Sequence, residues 1–322
     1  MPNTNEPRLI TRRALLKTMG VGAVAAAFPA LAYQPPAGAR QTEYGTAFKR
    51  FALGDFEVTV IQDRVVEFVP EMFSLGAPDG GVEAELAEGN LPTDRIPTTV
   101  NPVLVDTGDG LVLLDTGTGP FLGETFGGLL GTLELLGVAR EDVDTVVISH
   151  WHPDHTGAAS VDGAATFPNA TYLFPRQEWE FVQAFPSDAS SADMFPAFES
   201  AMQPLFDGDA VSFYGDGDEI APGIRAMAAP GHTPGHHGFS LESGGRRLVS
   251  LVDTADHFLV SLRHPEWGFV FDHDLGLASE TRRELLGRAG DEGLQVMGYH
   301  FPFPGVGYVV REGEGFRFVP SV

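Results

Sequence analysis

The chain has 322 residues, 20 basic against 44 acidic side chains for a formal net charge of −24, 43% hydrophobic residues and no cysteine. That length and apolar content suit one large globular domain or two small ones. The missing cysteines exclude disulfides, thiolate metal sites, iron–sulfur clusters and cysteine nucleophiles. The acidity weighs against nucleic acid and anionic membranes as partners; a strongly solvated acidic surface also suits a salty habitat.

At the N-terminus, Thr11-Arg12-Arg13-Ala14-Leu15-Leu16-Lys17 precedes an apolar run from Met19 to Ala32, ending Ala30-Leu31-Ala32. Basic residues, a short apolar stretch and a small-x-small end read as a twin-arginine export signal over residues 1–32. The competing reading is a membrane anchor, but the run falls short of the ~20 apolar residues a span needs. Export predicts a periplasmic or secreted protein with no stable membrane anchoring after cleavage. The signal also carries Arg8, Arg12, Arg13 and Lys17 against Glu6 alone, so its loss leaves the remainder more acidic. Pro-, Gly- and Ala-rich residues 33–45 read as a linker, and 46–322 as the folded domain.

Phe51 to Ile61 alternates apolar and polar residues around Gly54-Asp55, the pattern of an antiparallel strand pair with a turn. Residues 66–98 show no strong periodicity and are expected to form a long loop or lid. Strands are expected at 102–105 and 111–114, split by a turn at 107–110, and a helix over 121–137 ending at Gly137. Val143–Ile148 reads as a strand, as does Tyr172–Phe174. Helices are expected at Gln177–Phe185 and Met194–Leu205. Ile224–Ala228, Gly238–Leu241 and Arg247–Val252 read as strands, Ser279–Ala289 as a helix and Val296–Tyr299 as a strand. Periodicity alone supports an α/β or α+β domain without internal repeats.

Chemistry concentrates after the strand expected at Val143–Ile148. His150-Trp151-His152-Pro153-Asp154-His155 places four metal-binding side chains within six residues at a strand end. Imidazole and carboxylate together suit a borderline cation such as zinc. His150 and His152 are two apart, so an extended segment points them the same way; Pro153 turns the chain before Asp154 and His155. Further candidates close short apolar segments: His232 in Gly-His-Thr-Pro-Gly-His, Asp253 in Leu-Val-Asp-Thr-Ala-Asp, and His300 in Gly-Tyr-His.

This set of motifs resembles the metallo-β-lactamase fold superfamily, over roughly residues 45–322. The C-terminal stretch from His300 to Val309 and Gly315 to Pro320 is similar to the branch holding methyl parathion hydrolase and quorum-quenching lactonases. The resemblance implies an α+β fold, the αββα sandwich of two face-to-face mixed sheets with helices outside. It implies two divalent ions per chain, with zinc foremost and Mn²⁺, Co²⁺ or Fe²⁺ as alternatives. His150, His152 and His232 would hold the first, Asp154, His155 and His300 the second, and Asp253 would bridge them. It also implies that Asp115, in Asp-Thr-Gly, steadies the metal loop, against the plainer reading of a turn-starting aspartate.

Thr233 and His236 are expected to shape the loop around His232. Trp179, Phe258 and Phe301 are expected to wall an apolar substrate cavity, while His237, His257, His264 and His273 read mainly as ordinary histidines. The function implied is an exported dinuclear-metal hydrolase, using a metal-bridging hydroxide to cleave lactones, esters or aryl phosphotriesters, with Asp154 and Asp253 catalytic. An N-acyl homoserine lactonase with only incidental phosphotriesterase activity is the alternative. A catalytically silent metal- or ligand-binding protein is the alternative of another class. A homodimer is expected from relatives of this kind.

Overall fold

The computed structural model describes residues 47–121, 127–185, 194–208 and 210–321. The expected export signal (1–32) and linker (33–45) lie outside the described residues. Two seven-stranded sheets form the centre. The first runs, in spatial order, Ala47–Leu53, Phe56–Gln62, Val103–Asp106, Leu111–Leu114, Val143–Val147, Thr171–Pro175 and Val211–Tyr214. The second follows chain order from Glu219–Ala221 through Ile224–Ala228, His237–Ser243, Arg246–Val252, Gln295–Gly298 and Val306–Glu312 to Gly315–Pro320.

Alternation along these strands explains the layering. Val58, Val60, Val105, Val112 and Leu114 of the first sheet meet Ile224, Phe239, Leu241, Leu248 and Met297 of the second in one buried core. The other face of the first sheet packs under helices Leu129–Leu136 and Phe195–Asp207 through Leu129, Leu133, Phe198, Met202 and Leu205. Leu286 and Ala289 of the long helix Leu275–Glu292 cover the outer face of the second sheet. The result is the helix–sheet–sheet–helix sandwich expected above. Among the described residues, no helix is long and apolar enough to cross a membrane.

Parallel pairing decides where the site lies. Leu111–Leu114, Val143–Val147 and Thr171–Pro175 run parallel in the first sheet, and Arg246–Val252 pairs parallel with Gln295–Gly298 in the second. The turns after the carboxyl ends of such strands are natural ligand-binding positions. Asp115, His150, Asp253 and His300 all follow these ends.

Three local expectations change. Residues 66–98 are not a structureless loop. Strands Arg64–Phe68 and Ile96–Val100 pair as a hairpin, with a 3₁₀ turn at Pro70–Phe73 and a helix at Gly81–Glu88 between them. This cap has its own core, in which Phe68, Met72, Phe73, Val82, Leu86 and Ile96 pack on Val260, Trp267 and Phe269 from nearly two hundred residues later. Its apolar residues therefore answer to a distant partner and leave no local period. The helix expected over 121–137 is described only from Leu129 to Leu136, with 122–126 outside the described residues. Its first N–H donates to Asp63 Oδ1 at 2.9 Å, and Gly137 closes it in a left-handed conformation. The last helix starts four residues earlier than expected, because Asp274 accepts from the Leu277 N–H at 3.0 Å as N-cap.

Candidate metal centre

The four chain segments carrying the motif residues meet at one end of the sandwich. His150 Nε2 lies 3.0 Å from His152 Nδ1, which lies 2.9 Å from His232 Nε2. One donor atom from each of His150, His152, His232 and Asp253 falls within a mutual distance of 4.8 Å, and so does one from each of Asp154, His155 and His300. Asp253 Oδ2 stands between the groups, 3.3 Å from both His232 Nε2 and His155 Nε2 and 3.2 Å from His300 Nε2. The structure thus gathers all seven side chains named from the motifs, in the two sets the resemblance implies.

Backbone strain marks two of the delivery points. Asp115 sits at φ 59° and Val252, the residue before Asp253, at φ 48°. A β-branched residue rarely adopts this left-handed region, and such outliers persist where surrounding structure dictates them.

The surroundings fix three of the imidazoles. Asp115 Oδ2 takes His155 Nδ1 at 2.8 Å, while its Oδ1 accepts the Ser149 N–H at 2.7 Å. Asp272 Oδ1 takes His232 Nδ1 at 3.0 Å, and the Thr99 carbonyl takes His300 Nδ1 at 2.9 Å. In each case one ring nitrogen is engaged and the other is directed into the cluster, the arrangement by which metal-binding histidines are oriented. His236 accepts the Asp253 N–H on Nε2 at 3.1 Å and donates from Nδ1 to the Ala229 carbonyl at 2.8 Å. The Thr233 carbonyl closes its turn by accepting the Gly231 N–H at 3.0 Å. Both residues shape the loop.

Burial, reinforced by neighbouring imidazoles, holds His150 and His152 well below the usual histidine range. It also takes His236 down to about 3. Burial opposes a charge on His300, but Asp253 and Asp154 outweigh it and lift the ring to about 9. The same contest at His155, won by Asp253, Asp154 and Asp115, raises it well above the ordinary value. Burial also disfavours the Asp253 anion, yet His155 and His300 hold its carboxyl well below the usual range.

These donors fit divalent cations. His155 Nε2 and Asp253 Oδ1 are buried without a hydrogen-bond partner among the described residues, and the set is all nitrogen and oxygen, suited to zinc and its neighbours.

The pocket aromatics differ from expectation. Val66, Phe68, Phe121, Met194, Phe269 and Phe271 supply the apolar wall of the cleft above His152, Asp154, His232, Asp253 and His300. Trp179 instead packs on Phe206 and Phe213, with centroids at 4.1 and 5.8 Å, on the outer side of the first sheet. Phe258 joins the core outside the second sheet. Phe301 is fully buried there against Phe318; its carbonyl accepts from Thr99 Oγ1 and from Asn101 Nδ2. Next to a ligand, the chain turns the Phe301 ring inward as an anchor. His264 stacks on Trp267 at 3.7 Å and pairs with Glu85, while His257 Nδ1 accepts the Val260 N–H at 3.1 Å. Neither faces the cleft.

Four further residues escape sequence reasoning. Glu178, fully buried, ties the first histidine loop to the second by accepting the Trp151 N–H at 3.0 Å and the Gly235 N–H at 2.8 Å. Burial drives its carboxyl up to about 7, against those hydrogen bonds. Arg282 reaches in from the long helix to Asp272 and to the Thr254, Pro265 and Trp267 carbonyls. Asp272 and Asp256 complete the list. The run Asp272-His273-Asp274 beside three aromatics is the one local signal that could have flagged Asp272; Glu178 and Arg282 read as ordinary helix-surface charges.

A family model for the metallo-beta-lactamase superfamily matches residues 95–300. Among curated proteins, the chain is 32% identical over 142 residues to an N-acyl homoserine lactonase, AttM, of Azorhizobium caulinodans, covering 41% of this chain and 49% of that protein. An N-acyl homoserine lactonase of Bacillus cereus is 27% identical over 150 residues, covering 47% and 53%. The chain spans about half the length of the curated relatives it matches. The solved structure of AidC, a dizinc quorum-quenching lactonase in complex with a product, superposes with a TM-score of 0.80 at 26% identity, covering 86% of this chain and 98% of that one. AbOPH, a hydrolase in the beta lactamase superfamily, gives 0.79 at 28%, covering 85% and 97%. Motif, fold and family match agree, and the chain belongs to the metallo-β-lactamase superfamily.

Proposed function

We propose that the protein is a dinuclear-metal hydrolase that opens N-acyl homoserine lactones. The observation that carries this is the convergence of seven buried or half-buried donors, in two sets sharing Asp253, beneath an aromatic cleft. The lactonase relatives and the dizinc neighbour support the substrate class and the metal. His150, His152 and His232 would hold one cation, Asp154, His155 and His300 the other, with Asp253 shared. Bound there, such cations polarise a carbonyl and lower the pKa of water from 15.7 to about 7.

The chain's own residues do the rest. Phe68, Phe269 and Phe271 exclude water around an acyl chain and hold the lactone over the cluster. Water adds to the lactone carbonyl carbon, the ring C–O bond breaks, and the product is the hydroxy acid. Asp154 is the most accessible of the ligand carboxylates, with 22% of its side chain exposed. We assign its carboxylate to accept the proton of the attacking water and return it to the leaving alkoxide. Asp115 and Asp272 keep His155 and His232 in the tautomers that present Nε2.

The test is kcat/KM of the zinc-loaded protein on N-hexanoyl homoserine lactone and on an aryl phosphotriester. A lactone value above about 10⁴ M⁻¹s⁻¹ with a far slower phosphotriester supports the proposal. The reverse ratio would make it a phosphotriesterase instead. Export by the twin-arginine route belongs to the same proposal and rests on residues 11–32. A mature N-terminus at Tyr33 in the periplasmic fraction supports it, and full-length protein confined to the cytoplasm refutes it.

A further inference from the structure

Asp256 lines the cleft three residues after Asp253, is 1% exposed, and has no hydrogen-bond partner among the described residues on either carboxyl oxygen. The donors nearest to it are committed elsewhere. Arg282 Nη2 stands 3.9 Å from Oδ2 but bonds Asp272 at 3.3 Å, and the remaining Arg282 nitrogens serve the Thr254, Pro265 and Trp267 carbonyls. His232 Nδ1 stands 3.8 Å from Oδ1 and is engaged by Asp272 at 3.0 Å. The protein therefore builds a buried acceptor into its own cleft, and the described residues supply it with no donor.

A carboxyl group buried without a donor is costly. An acyl chain seated among Phe68, Phe269 and Phe271 would close the cleft beside it without bringing a donor. A substrate that brings an N–H to this position removes the cost; one without a donor does not. An N-acyl homoserine lactone carries its amide nitrogen two bonds from the reacting carbonyl carbon. Asp256 stands beside the centre over which that carbonyl would sit, with an oxygen within 4.8 Å of donor atoms of Asp253 and His300.

We propose that Asp256 is a specificity-determining residue whose carboxyl accepts the amide N–H of the substrate, selecting α-amido lactones over lactones and esters that lack this donor. The assignment rests on the lactonase reading above. A carboxyl oxygen accepts a hydrogen bond whether or not the group is ionised, so selection holds in both states.

The test compares N-hexanoyl homoserine lactone with α-hexanoyloxy-γ-butyrolactone, in which oxygen replaces the amide N–H. Each kcat/KM is normalised to the lactone's rate of alkaline hydrolysis, and metal content is measured in parallel. The wild type is expected to favour the amide by about 10- to 100-fold, the scale of one hydrogen bond to a charged group. Asp256→Ala should bring that ratio close to one with two metals per chain retained, and Asp256→Asn, which keeps a neutral acceptor oxygen, should leave a smaller preference of about fivefold. An unchanged ratio in Asp256→Ala overturns the assignment, and so does loss of a metal ion, which would make Asp256 a ligand. Hydrolysis of the ester lactone alone, or of both at equal normalised rates, overturns it while leaving a lactonase. Hydrolysis of neither removes the lactonase reading and this assignment with it.

Discussion

Single residues set the charge state of the centre. Asp272 Oδ1 holds His232 by Nδ1, while its Oδ2 accepts the Phe269 N–H at 3.0 Å and the Arg282 guanidinium. Asp272→Asn keeps one acceptor oxygen but loses the charge that makes His232 a better donor to a cation. Metal affinity is expected to fall about 10- to 100-fold, the usual cost of such a change, by competition with a chromophoric chelator; unchanged affinity would refute the role. His300 gives a pH dependence. Its ring, raised to about 9 by Asp253 and Asp154 against burial, keeps a proton in the metal-free fold that the unfolded chain releases near 6.5. This contribution to the stability of the metal-free protein is complete below about pH 6.5 and disappears as pH rises through about 9. A cation must displace the same proton, so affinity runs the other way. Between pH 6.5 and 9 it should tighten by up to about tenfold per pH unit for each proton displaced; a flat profile would contradict the direction.

Elements matter through what they bring together. The hairpin and helix of residues 64–100 are held by aromatic packing on the segment that follows Asp253. Phe73, 2% exposed, stacks on Phe269 at 4.5 Å. Phe73→Ala is expected to cost about 3–5 kcal/mol in urea unfolding, as for other buried aromatic deletions. Because Phe269 also walls the cleft, KM for a long-chain lactone should rise more than kcat falls. A loss under about 1 kcal/mol would show that the cap is not anchored there. Elements with a clear period were legible in the sequence. The turn at Gly54-Asp55 falls between Ala47–Leu53 and Phe56–Gln62 as expected, and Val143–Val147 delivers the histidine motif. The cap was not legible, because Met72, Phe73, Val82 and Leu86 follow no common repeat and are buried by residues 260–269.

At the scale of the whole molecule, the two sheets come together with Asp253, three other aspartates (Asp115, Asp256 and Asp272) and the five motif histidines buried at their shared end. Cations bind this arrangement only in the folded chain, so they stabilise it by mass action. At about a thousandfold excess over Kd, each ion contributes about 4 kcal/mol. Chelation is therefore expected to lower Tm by roughly 10 °C, read by calorimetry before and after dialysis against EDTA. An unmoved Tm would mean that the cluster does not hold metal in the native protein.

The motifs are local, and local chemistry was enough to name the seven donors gathered at the centre. His150, His152, Asp154 and His155 lie within six residues, and His232, Asp253 and His300 each close a short apolar strand or loop. The hydrophobic period likewise carried most strands, while the αββα class came from the resemblance those motifs carry. Only the tertiary structure decided which aromatics face the cleft. It placed Trp179 and Phe301 in outer cores and brought Phe68, Phe269 and Phe271 to the site, because a side chain's direction depends on what packs against it. The same holds for Glu178, Asp272 and Arg282, whose partners lie 10 to 57 residues away. It holds also for Asp256, whose significance is that the described residues surround it and offer it no donor.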